Sequence, residues 1–486
     1  MRKPGVMLIS ALCACACEGQ LVLPGTVSEG MVLQRCTQAS ISGKAAPGVP
    51  VRVKTSWNNR SYKVVPASDS TWKVQVQTGE AGGPYKVDIR QGRAHRSISD
   101  VLLGEVWLCS GQSNMQMPLK GYDSQPVEGS LEEMLSAPGY SNVRLLHQPR
   151  RILDNPGVGA VWQKPTIQSA GDFSAIGWFF ASRLSTSLGV PVGMIESDWG
   201  GTRIEAWMTA ESVAKTEAGA AEKSGPDKSG VLYDNMIAPF ADYSVRGFLW
   251  YQGESNKDNS PVYAELMAAM AKDWRKAFGG GEEMPFYYVM ISPFQYTNGF
   301  DDSVYGDYAA PLLWEAQRKA LDLITNSDIA MTTDLGDAVF IHPAKKKEVA
   351  DRLLLLALHG TYPELLGEVS RLPWRGPVYK SVDFAGGKAV VSFDSPGTLC
   401  PVEPLGYRQV DGFEIAGADR KFYPADAFVQ KAKAYGFSNK VIVSSPLVPK
   451  PAAVRYCFHN MPSGTLTNTL GLPALPFRTD EWELKN

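Results

Sequence analysis

The sequence predicts an α/β protein, with a three-layer α/β/α domain flanked by N-terminal and C-terminal β-sandwich-like domains. Short strands of period-two alternation, punctuated by glycine and proline, fill residues 20–103 and are typical of a small antiparallel sandwich. Strands alternating with amphipathic helical stretches fill residues 104–365 and indicate a parallel sheet covered on both faces. Short, turn-bounded strands return over residues 366–486.

The composition is that of an ordinary globular protein. Of the 486 residues, 44% are hydrophobic and 20% are charged, and the formal net charge is −2. This balance offers no basic field for nucleic acid. No apolar run reaches 18 residues, so we expect no membrane-spanning helix.

Residues 1–19 differ from the rest of the chain. Arg2 and Lys3 precede the apolar stretch Val6–Ala16, a pattern that indicates a secretory signal peptide. Ala14-Cys15-Ala16 matches an A-x-A cleavage site. We therefore expect the mature chain to be exported, to the periplasm, to the outer membrane as a lipoprotein, or to the extracellular space.

The cysteines of the leader allow a second interpretation. Leu12–Cys15 is similar to a bacterial lipobox, which would put a lipid anchor on Cys15 or Cys17, the one membrane contact we expect. Export also permits a disulfide, and Cys400 with Cys457 is the plausible pair because both lie in the C-terminal segment. No C-x-x-C pair and no histidine cluster is present, so we expect neither a metal nor another cofactor.

The central stretch is Gly104–Pro118, GEVWLCSGQSNMQMP. Its first half continues an apolar strand that suits the centre of a parallel sheet. The strand breaks at Ser110–Asn114, and a tight strand-to-helix turn there would present a hydroxyl at the carboxyl edge of the sheet, where α/β folds place ligands. Ser113 is the candidate nucleophile. The alternative is that Ser110 and Ser113 merely cap the next helix, since no G-x-S-x-G elbow is present.

A serine nucleophile at neutral pH needs a base, and imidazole is the natural one. Among the five histidines, His95 and His459 fall in the flanking β regions and His359 follows a leucine-rich helix. His342 instead lies in a loop between a strand and a helix of the α/β region. We therefore expect His342 to be the base, with a hydrogen-bonded structural histidine as the alternative.

Two glycine-containing loops follow strands of the same domain, Ser197–Thr202 and Trp250–Asn256. Each can aim hydrogen-bond donors at the space above the nucleophile: the backbone N–H of Gly201, and a side-chain amide from Gln252 or Asn256. Turns also need glycines, so the loops alone are weak evidence of a site.

These blocks, together with segments near both ends of the chain, resemble the motifs of the sialate O-acetylesterase family of SGNH-type hydrolases. The matching segments are Gly30–Arg35, Gly111–Met115, Trp199–Thr202, Leu232–Ile237, Trp250–Asn256, Ile341–Pro343, Gly471–Ala474 and Pro476–Asp480. The resemblance covers essentially the whole mature chain and implies an SGNH-hydrolase-like α/β/α domain.

The resemblance implies a secreted esterase that removes O-acetyl groups from sialic acids or related sugars. Ser113 would attack the acetyl carbonyl, and His342 would take its proton and later activate water. The N–H groups of Ser113 and Gly201 and the amide of Gln252 would hold the oxyanion, with Asn256 as the alternative amide.

The third member of the catalytic triad departs from the family pattern. SGNH hydrolases commonly carry an aspartate three residues before the histidine, and that position is Val339. Asp337 and Asp334 are the nearest carboxylates, and Asp337 is our prediction for the residue that orients the imidazole. A main-chain carbonyl is the alternative.

Three further residues are predicted to serve the substrate. Arg203 is placed to pair with a sialic acid carboxylate or to play a structural role, Trp199 to stack on the sugar, and Glu254 to support the loop behind the site. The expected partner is an O-acetylated sialic acid or another acetylated glycan. Alternatives are an acetyl-xylan-type deacetylase and a carbohydrate-binding protein with weak or no catalysis.

Overall fold

The computed structural model describes residues 21–154, 156–217, 224–299, 302–363, 372–401, 409–431 and 437–484. The predicted leader, residues 1–19, lies outside this part. The strands are β1 Val32–Gln34, β2 Gln38–Lys44, β3 Val51–Thr55, β4 Ser61–Val64, β5 Thr71–Gln77, β6 Gly82–Gln91, β7 Ala94–Gly111, β8 Val143–His147, β9 Val192–Asp198, β10 Gly247–Tyr251, β11 Phe286–Val289, β12 Ser327–Ala330, β13 Val378–Ala385, β14 Lys388–Asp394, β15 Leu399–Pro401, β16 Phe413–Ala416, β17 Phe422–Pro424, β18 Asp426–Lys431, β19 Phe437–Ser444, β20 Ala453–Tyr456, β21 Leu466–Asn468 and β22 Phe477–Arg478.

The α-helices are α1 Ser113–Gln116, α2 Ser130–Ser136, α3 Ile167–Gly171, α4 Ala175–Leu188, α5 Ala210–Ala214, α6 Ser260–Ala277, α7 Ala309–Leu323 and α8 Lys346–Gly360. The sequence patterns of Ala175–Leu188 and Ala309–Leu323 predict helices, and α4 and α7 have these bounds. None of the helices in the described residues is both long enough and apolar enough to cross a membrane.

A parallel sheet of six strands forms the centre of the molecule, in the order β8–β9–β7–β10–β11–β12. Gly111 at the end of β7 pairs with Asp198 on one side and with Tyr251 on the other. The carboxyl ends of these three strands therefore meet at one edge. The predicted mixed α/β architecture is confirmed, and this edge is where the candidate site residues converge.

Helices cover both faces of the central sheet. Trp107 and Cys109 of β7 belong to the core formed with α4 and α8, whereas Val106 and Leu108 belong to the core formed with α6 and α7. The ring of Trp107 lies 5.4 Å from that of Phe180 in an edge-to-face contact. Burial of each such large apolar side chain contributes roughly 1.5–3 kcal/mol, which explains why β7 is apolar on both faces.

The N-terminal β region shares a strand with the α/β domain. The first half of β7 pairs antiparallel with β6 and parallel with β1, and its second half pairs with β9 and β10. The predicted boundary at 103/104 therefore lies inside one continuous strand. At Gly104 the strand approaches the backbone of Pro191 so closely that only glycine fits, because a Cβ there would lie 2.0 Å from the carbonyl oxygen of Pro191. Strands β2 and β5 form a separate antiparallel pair.

The C-terminal region contains antiparallel sheets in the orders β13–β14–β19–β18 and β17–β16–β20–β22, with β15 paired to β21. Its predicted start, residue 366, lies outside the described residues. The expected Cys400–Cys457 disulfide is wrong, because Cys457 carries a free, buried thiol. The Cys457 Sγ packs against Gly412 and Gly464, and burial raises its pKa to about 12.

Candidate active site

The candidate nucleophile lies on the turn between β7 and α1. Gly111 has a φ of +146°, and a Cβ there would lie 2.0 Å from the Tyr251 carbonyl oxygen, so only glycine fits. Ser113 is the first residue of α1, and the N-cap position is Gln112, which makes no side-chain capping bond. Ser113 is therefore not the cap of this helix, and the capping alternative does not account for it.

His342 lies at the same edge, held by two residues of the segment between α1 and α2. Its Nδ1 is 2.8 Å from Gln125 Oε1, and its ring is 5.3 Å from the ring of Tyr122. The Tyr122 hydroxyl in turn donates to the main-chain oxygen of Ser113 at 3.1 Å. Because an amide oxygen accepts, Nδ1 carries the proton and the lone pair is on Nε2. Neither His342 Nε2 nor Ser113 Oγ has a hydrogen-bond partner among the described residues.

A buried side chain joins the nucleophile turn to the histidine loop. Asn114 Nδ2 donates to the carbonyl oxygen of Ile341 at 3.0 Å and to Glu254 Oε1 at 2.6 Å, and Asn114 Oδ1 accepts from Lys346 Nζ at 2.5 Å. The residue after Ser113 is thus bonded to the residue before His342. The segments that carry the predicted nucleophile and the predicted base therefore lie against each other.

Burial shifts the pKa of three of these groups. Burial, followed by the Lys346 cation, lowers the pKa of the His342 imidazole to about 4. Burial lowers the pKa of the Lys346 ammonium to about 7, against the opposing effect of Glu254. Burial raises the pKa of the Glu254 carboxyl. The imidazole is therefore neutral at neutral pH, the form that a general base requires.

The Gly200–Gly201 loop lies directly against Ser113. A Cβ on Gly200 would lie 3.2 Å from the Cβ of Ser113, and the Gly200 N–H donates to Gln116 Oε1 at 2.6 Å. The backbone N–H groups of Ser113 and Gly201 make no hydrogen bond in the described part of the chain. Two unpaired backbone donors beside a hydroxyl can hold an oxyanion.

The amide hydrogens of Gln252 are both engaged elsewhere, and so is one Nδ2 hydrogen of Asn256. Gln252 is fully buried, donates both Nε2 hydrogens, to the Thr202 oxygen at 3.1 Å and to Asn256 Oδ1 at 2.8 Å, and accepts from Tyr263. Asn256 is also buried, and its Nδ2 donates to Glu205 Oε2 at 2.9 Å. The prediction that Gln252 donates to the oxyanion is therefore not supported, since its amide instead ties the end of β10 to the glycine loop.

The predicted orienting carboxylate does not reach the imidazole. Asp337 Oδ1 accepts from the backbone N–H groups of Val339 and Phe340, at 2.7 and 2.9 Å. Asp334 is engaged in a bidentate ion pair with Arg352, at 2.7 and 2.6 Å. Gln125 takes the place predicted for Asp337, and the orienting group is a neutral amide.

The remaining predicted residues take different positions. Arg203 is paired with Glu205: its Nη2 donates to Oε1 at 2.8 Å and its Nε to Oε2 at 3.4 Å, so the guanidinium already has a carboxylate partner. Trp199 is half-buried, and its backbone N–H donates to the Gly111 main-chain oxygen at 3.0 Å, which keeps the residue beside the glycine loop as a candidate wall of the site. Glu254 is buried behind Asn114, the supporting position that the sequence predicts.

Gln125, Tyr122 and Lys346 were missed by the sequence analysis. Nothing local marks Gln125, which is 217 residues from the histidine that it contacts. Lys346 did carry a signal, because a cation in the first turn of a helix opposes the helix dipole and needs a reason to be there.

An open pocket of about 520 Å³ lies beside His342, lined by Gln125, Phe294, Asn298 and 338–342. Among the described residues, no group of three or more acidic, histidine or cysteine side chains could hold a metal ion.

A parallel sheet with a serine turn, an imidazole and two free backbone N–H groups at its carboxyl edge defines an esterase-like hydrolase of the α/β class. The family model described as "Carbohydrate esterase, sialic acid-specific acetylesterase" matches residues 103–335. The chain is 31% identical to human sialate O-acetylesterase over 407 residues, and 31% identical to that of Pongo abelii over 405 residues. In both cases the match covers 75% of each chain.

A crystal structure of a carbohydrate acetylesterase from Xanthomonas citri is 34% identical, with a TM-score of 0.82, and is matched over 95% of this chain and 100% of that one. The chain belongs to the sialate O-acetylesterase family and is a carbohydrate O-acetylesterase.

Proposed function

We propose that the chain removes O-acetyl groups from sialic acids by a Ser113–His342 acyl-enzyme mechanism. The Ser113 hydroxyl attacks the acetyl carbonyl while His342 Nε2 takes its proton, and the proton then passes to the departing sugar oxygen. Water, deprotonated by the same nitrogen, then attacks the acetyl group on Ser113, and the imidazolium returns this proton to the Ser113 oxygen as acetate leaves. The observation that carries the proposal is the bond from Asn114 Nδ2 to the Ile341 oxygen, which holds the two reacting segments together.

The surrounding residues have distinct parts in this mechanism. Gln125 keeps the Nδ1 proton in place, so that Nε2 is the nitrogen that accepts. The N–H groups of Ser113 and Gly201 bind the negative oxygen of the tetrahedral intermediate. The absence of a carboxylate partner for His342 among the described residues predicts a weaker base than a Ser-His-Asp triad has.

The sialic acid preference is supported by the names of the relatives and by one cation near the site. Arg150 lies 3.5 Å from Asp198 Oδ1, and its side chain is 36% exposed. Asp198 is buried and immediately precedes Trp199 and the glycine loop. A partly exposed guanidinium here would bind the carboxylate that sialic acid carries and neutral acetylated sugars lack.

Acetate release from O-acetylated sialic acid, acetylated xylan and p-nitrophenyl acetate tests the proposal. Wild-type enzyme should carry an acetyl group on the peptide that contains Ser113 after rapid acid quench. Ser113→Ala should lose hydrolysis of all three substrates, whereas the control Ser136→Ala, in exposed α2, should keep wild-type rates. Hydrolysis by Ser113→Ala would refute the mechanism, and a clear preference for xylan would refute the substrate.

We also propose export, as the leader predicts. Mass spectrometry of the mature N-terminus in the native host separates the two routes. Cleavage after an A-x-A site gives an unmodified end, and lipobox processing gives a lipid on Cys15 or Cys17. An intact Met1 with protein confined to the cytoplasm would refute export.

A further inference from the structure

Lys346 is a buried cation that the mechanism above does not use. It is the first residue of α8, four residues after His342, and is 1% exposed. Its Nζ donates to Asn114 Oδ1 at 2.5 Å and lies 5.9 Å from the centre of the Tyr251 ring. A buried ammonium costs several kcal/mol of folding free energy unless other groups offset it, so its presence calls for a function.

The charge that offsets Lys346 reaches it through Asn114. The Asn114 amide accepts from Lys346 and donates to Glu254 Oε1, while Glu254 Oε2 is buried and has no hydrogen-bond partner in the described part of the chain. The same amide donates to the Ile341 oxygen. Lys346, Asn114 and Glu254 thus form a buried chain that joins α8, the nucleophile turn, the end of β10 and the histidine loop.

Lys346 is the charged group that acts on the His342 imidazole. From the segment before α2, the imidazole faces the neutral amide of Gln125 and the ring of Tyr122. On its own loop, Asp337 accepts from backbone N–H groups. Burial and then Lys346 lower the pKa of His342, and no carboxylate among the residues that the structure describes opposes them.

We propose that Lys346 is a positioning residue of the esterase: through Asn114 it fixes the nucleophile turn against the histidine loop, and it places a positive charge at the start of α8, four residues from His342. The proposal rests on the proposed function of Ser113 and His342. It predicts an enzyme that keeps its base competent in mildly acidic surroundings, where an unperturbed histidine would be protonated.

Lys346→Met tests both parts, because methionine fills a similar space without charge. The kcat should fall about 10²-fold with KM within a factor of two, as for a misplaced reacting group. The midpoint of the acid limb in the pH profile of kcat should move from about pH 4 toward pH 6.5. It should stay below 6.5, because burial still lowers the pKa of His342. The matched control is Lys347→Met. The Lys347 side chain is 46% exposed and paired with Asp351, so this variant should leave kcat and the acid limb unchanged. An unmoved acid limb, with or without a loss of kcat, would overturn the electrostatic role.

A titration independent of catalysis completes the test. In wild-type protein with ¹³C-labelled histidine, the His342 signal, assigned with His342→Asn, should titrate near pH 4, and in Lys346→Met it should titrate higher. A wild-type value at or above 6.5 overturns the proposal even if Lys346→Met does not fold. Asn114→Ala should lower kcat and keep the low acid limb, because Lys346 stays, and a wild-type kcat would overturn the positioning role. Failure of the proposed function would appear instead as activity in Ser113→Ala, which leaves the titration unaffected.

Discussion

His342 and His459 lie in opposite electrostatic surroundings, one at the site and the other between the α/β domain and the C-terminal sheets. His459 Nδ1 is 2.7 Å from Asp307 Oδ2 and its Nε2 is 2.9 Å from Glu414 Oε2. These two carboxylates raise the pKa of His459 to about 10, whereas burial and Lys346 lower that of His342 to about 4. At His459, carboxylates on both ring nitrogens stabilise the imidazolium, which joins the α/β domain to the C-terminal sheets; this arrangement is called the His459 clamp below. At His342, a neutral amide on Nδ1 leaves Nε2 free to accept a proton.

The clamp at His459 has further bonds that the site lacks. Asn460, the next residue, donates from its backbone N to Asp307 Oδ1 at 3.2 Å and accepts from the Ala310 N–H at 3.0 Å. The start of α7 is therefore held to the C-terminal region by several charged and neutral hydrogen bonds. The His342 ring has a single hydrogen bond among the described residues, so it keeps a nitrogen available for chemistry.

The largest expected effect is the loss of catalysis in His342→Ala, compared with His459→Ala. Removing the base should lower kcat by about 10²–10⁴-fold and leave thermal melting nearly unchanged. His459→Ala should keep kcat and lower the free energy of unfolding by about 1 kcal/mol, a value discounted because the clamp is partly exposed. Acetate release and urea unfolding measure the two quantities. A large loss of kcat in His459→Ala at unchanged stability would break the comparison.

The second effect concerns the group that orients the imidazole. In Gln125→Ala the Nδ1 proton is no longer fixed, and kcat should fall about 10²-fold. Gln125→Glu should restore kcat and move the acid limb upward, because a carboxylate favours the imidazolium as it does at His459. The pH profile of kcat distinguishes the two variants, and exposed Gln38→Ala in β2 is the control. Wild-type kcat in Gln125→Ala would show that the tautomer is set by something else.

The pH dependence of the two histidines should run in opposite directions. The folded-state pKa of His342 lies below 6.5, so its contribution to stability is present above 6.5 and is lost as pH falls to about 4, where activity also falls. The folded-state pKa of His459 lies above 6.5, so its contribution is full below 6.5 and is lost as pH rises through about 10. The stability difference between wild type and His459→Ala should therefore be full at pH 6, shrink as pH rises above 6.5 and be nearly gone above pH 10. A constant difference would contradict the raised pKa.

Much of the fold could be predicted because hydrophobic periodicity reports burial directly. The apolar patterns of Ala175–Leu188 and Gly247–Tyr251 predict a helix and a strand, and α4 and β10 have these bounds. The continuity of β7 could not be seen, because the change of period at Val101 marks a change of neighbours and not a break in the strand. Which strands pair with β7 depends on the tertiary structure, which hydrophobic periodicity does not report. The change of periodicity therefore suggested a domain boundary at a point where the backbone stays extended.

The positions of Ser113, His342 and Gly201 could be predicted because strand ends of a parallel sheet share an edge. The directions of their polar neighbours could not. Gln252 lies at the right strand end, but Thr202 and Asn256 take its amide hydrogens. Which donors remain free depends on side chains far apart in sequence, so the sequence located the site more accurately than it assigned the roles.

The smallest expected effect concerns two arginines that differ, as the two histidines do, in how strongly carboxylates already engage them. Arg203, like His459, already has a carboxylate partner, whereas Arg150 is held by one oxygen of Asp198 at 3.5 Å and is partly exposed. Arg150→Met should raise KM for acetylated sialic acid about 10-fold, the weight of one charged hydrogen bond, and leave p-nitrophenyl acetate unchanged. Arg203→Met should affect both substrates alike, because it loosens Glu205 and the network behind the glycine loop. If Arg203→Met instead lost activity on acetylated sialic acid alone, Arg203 would be the residue that binds the substrate carboxylate. Its ion pair with Glu205 would then have to open when substrate binds.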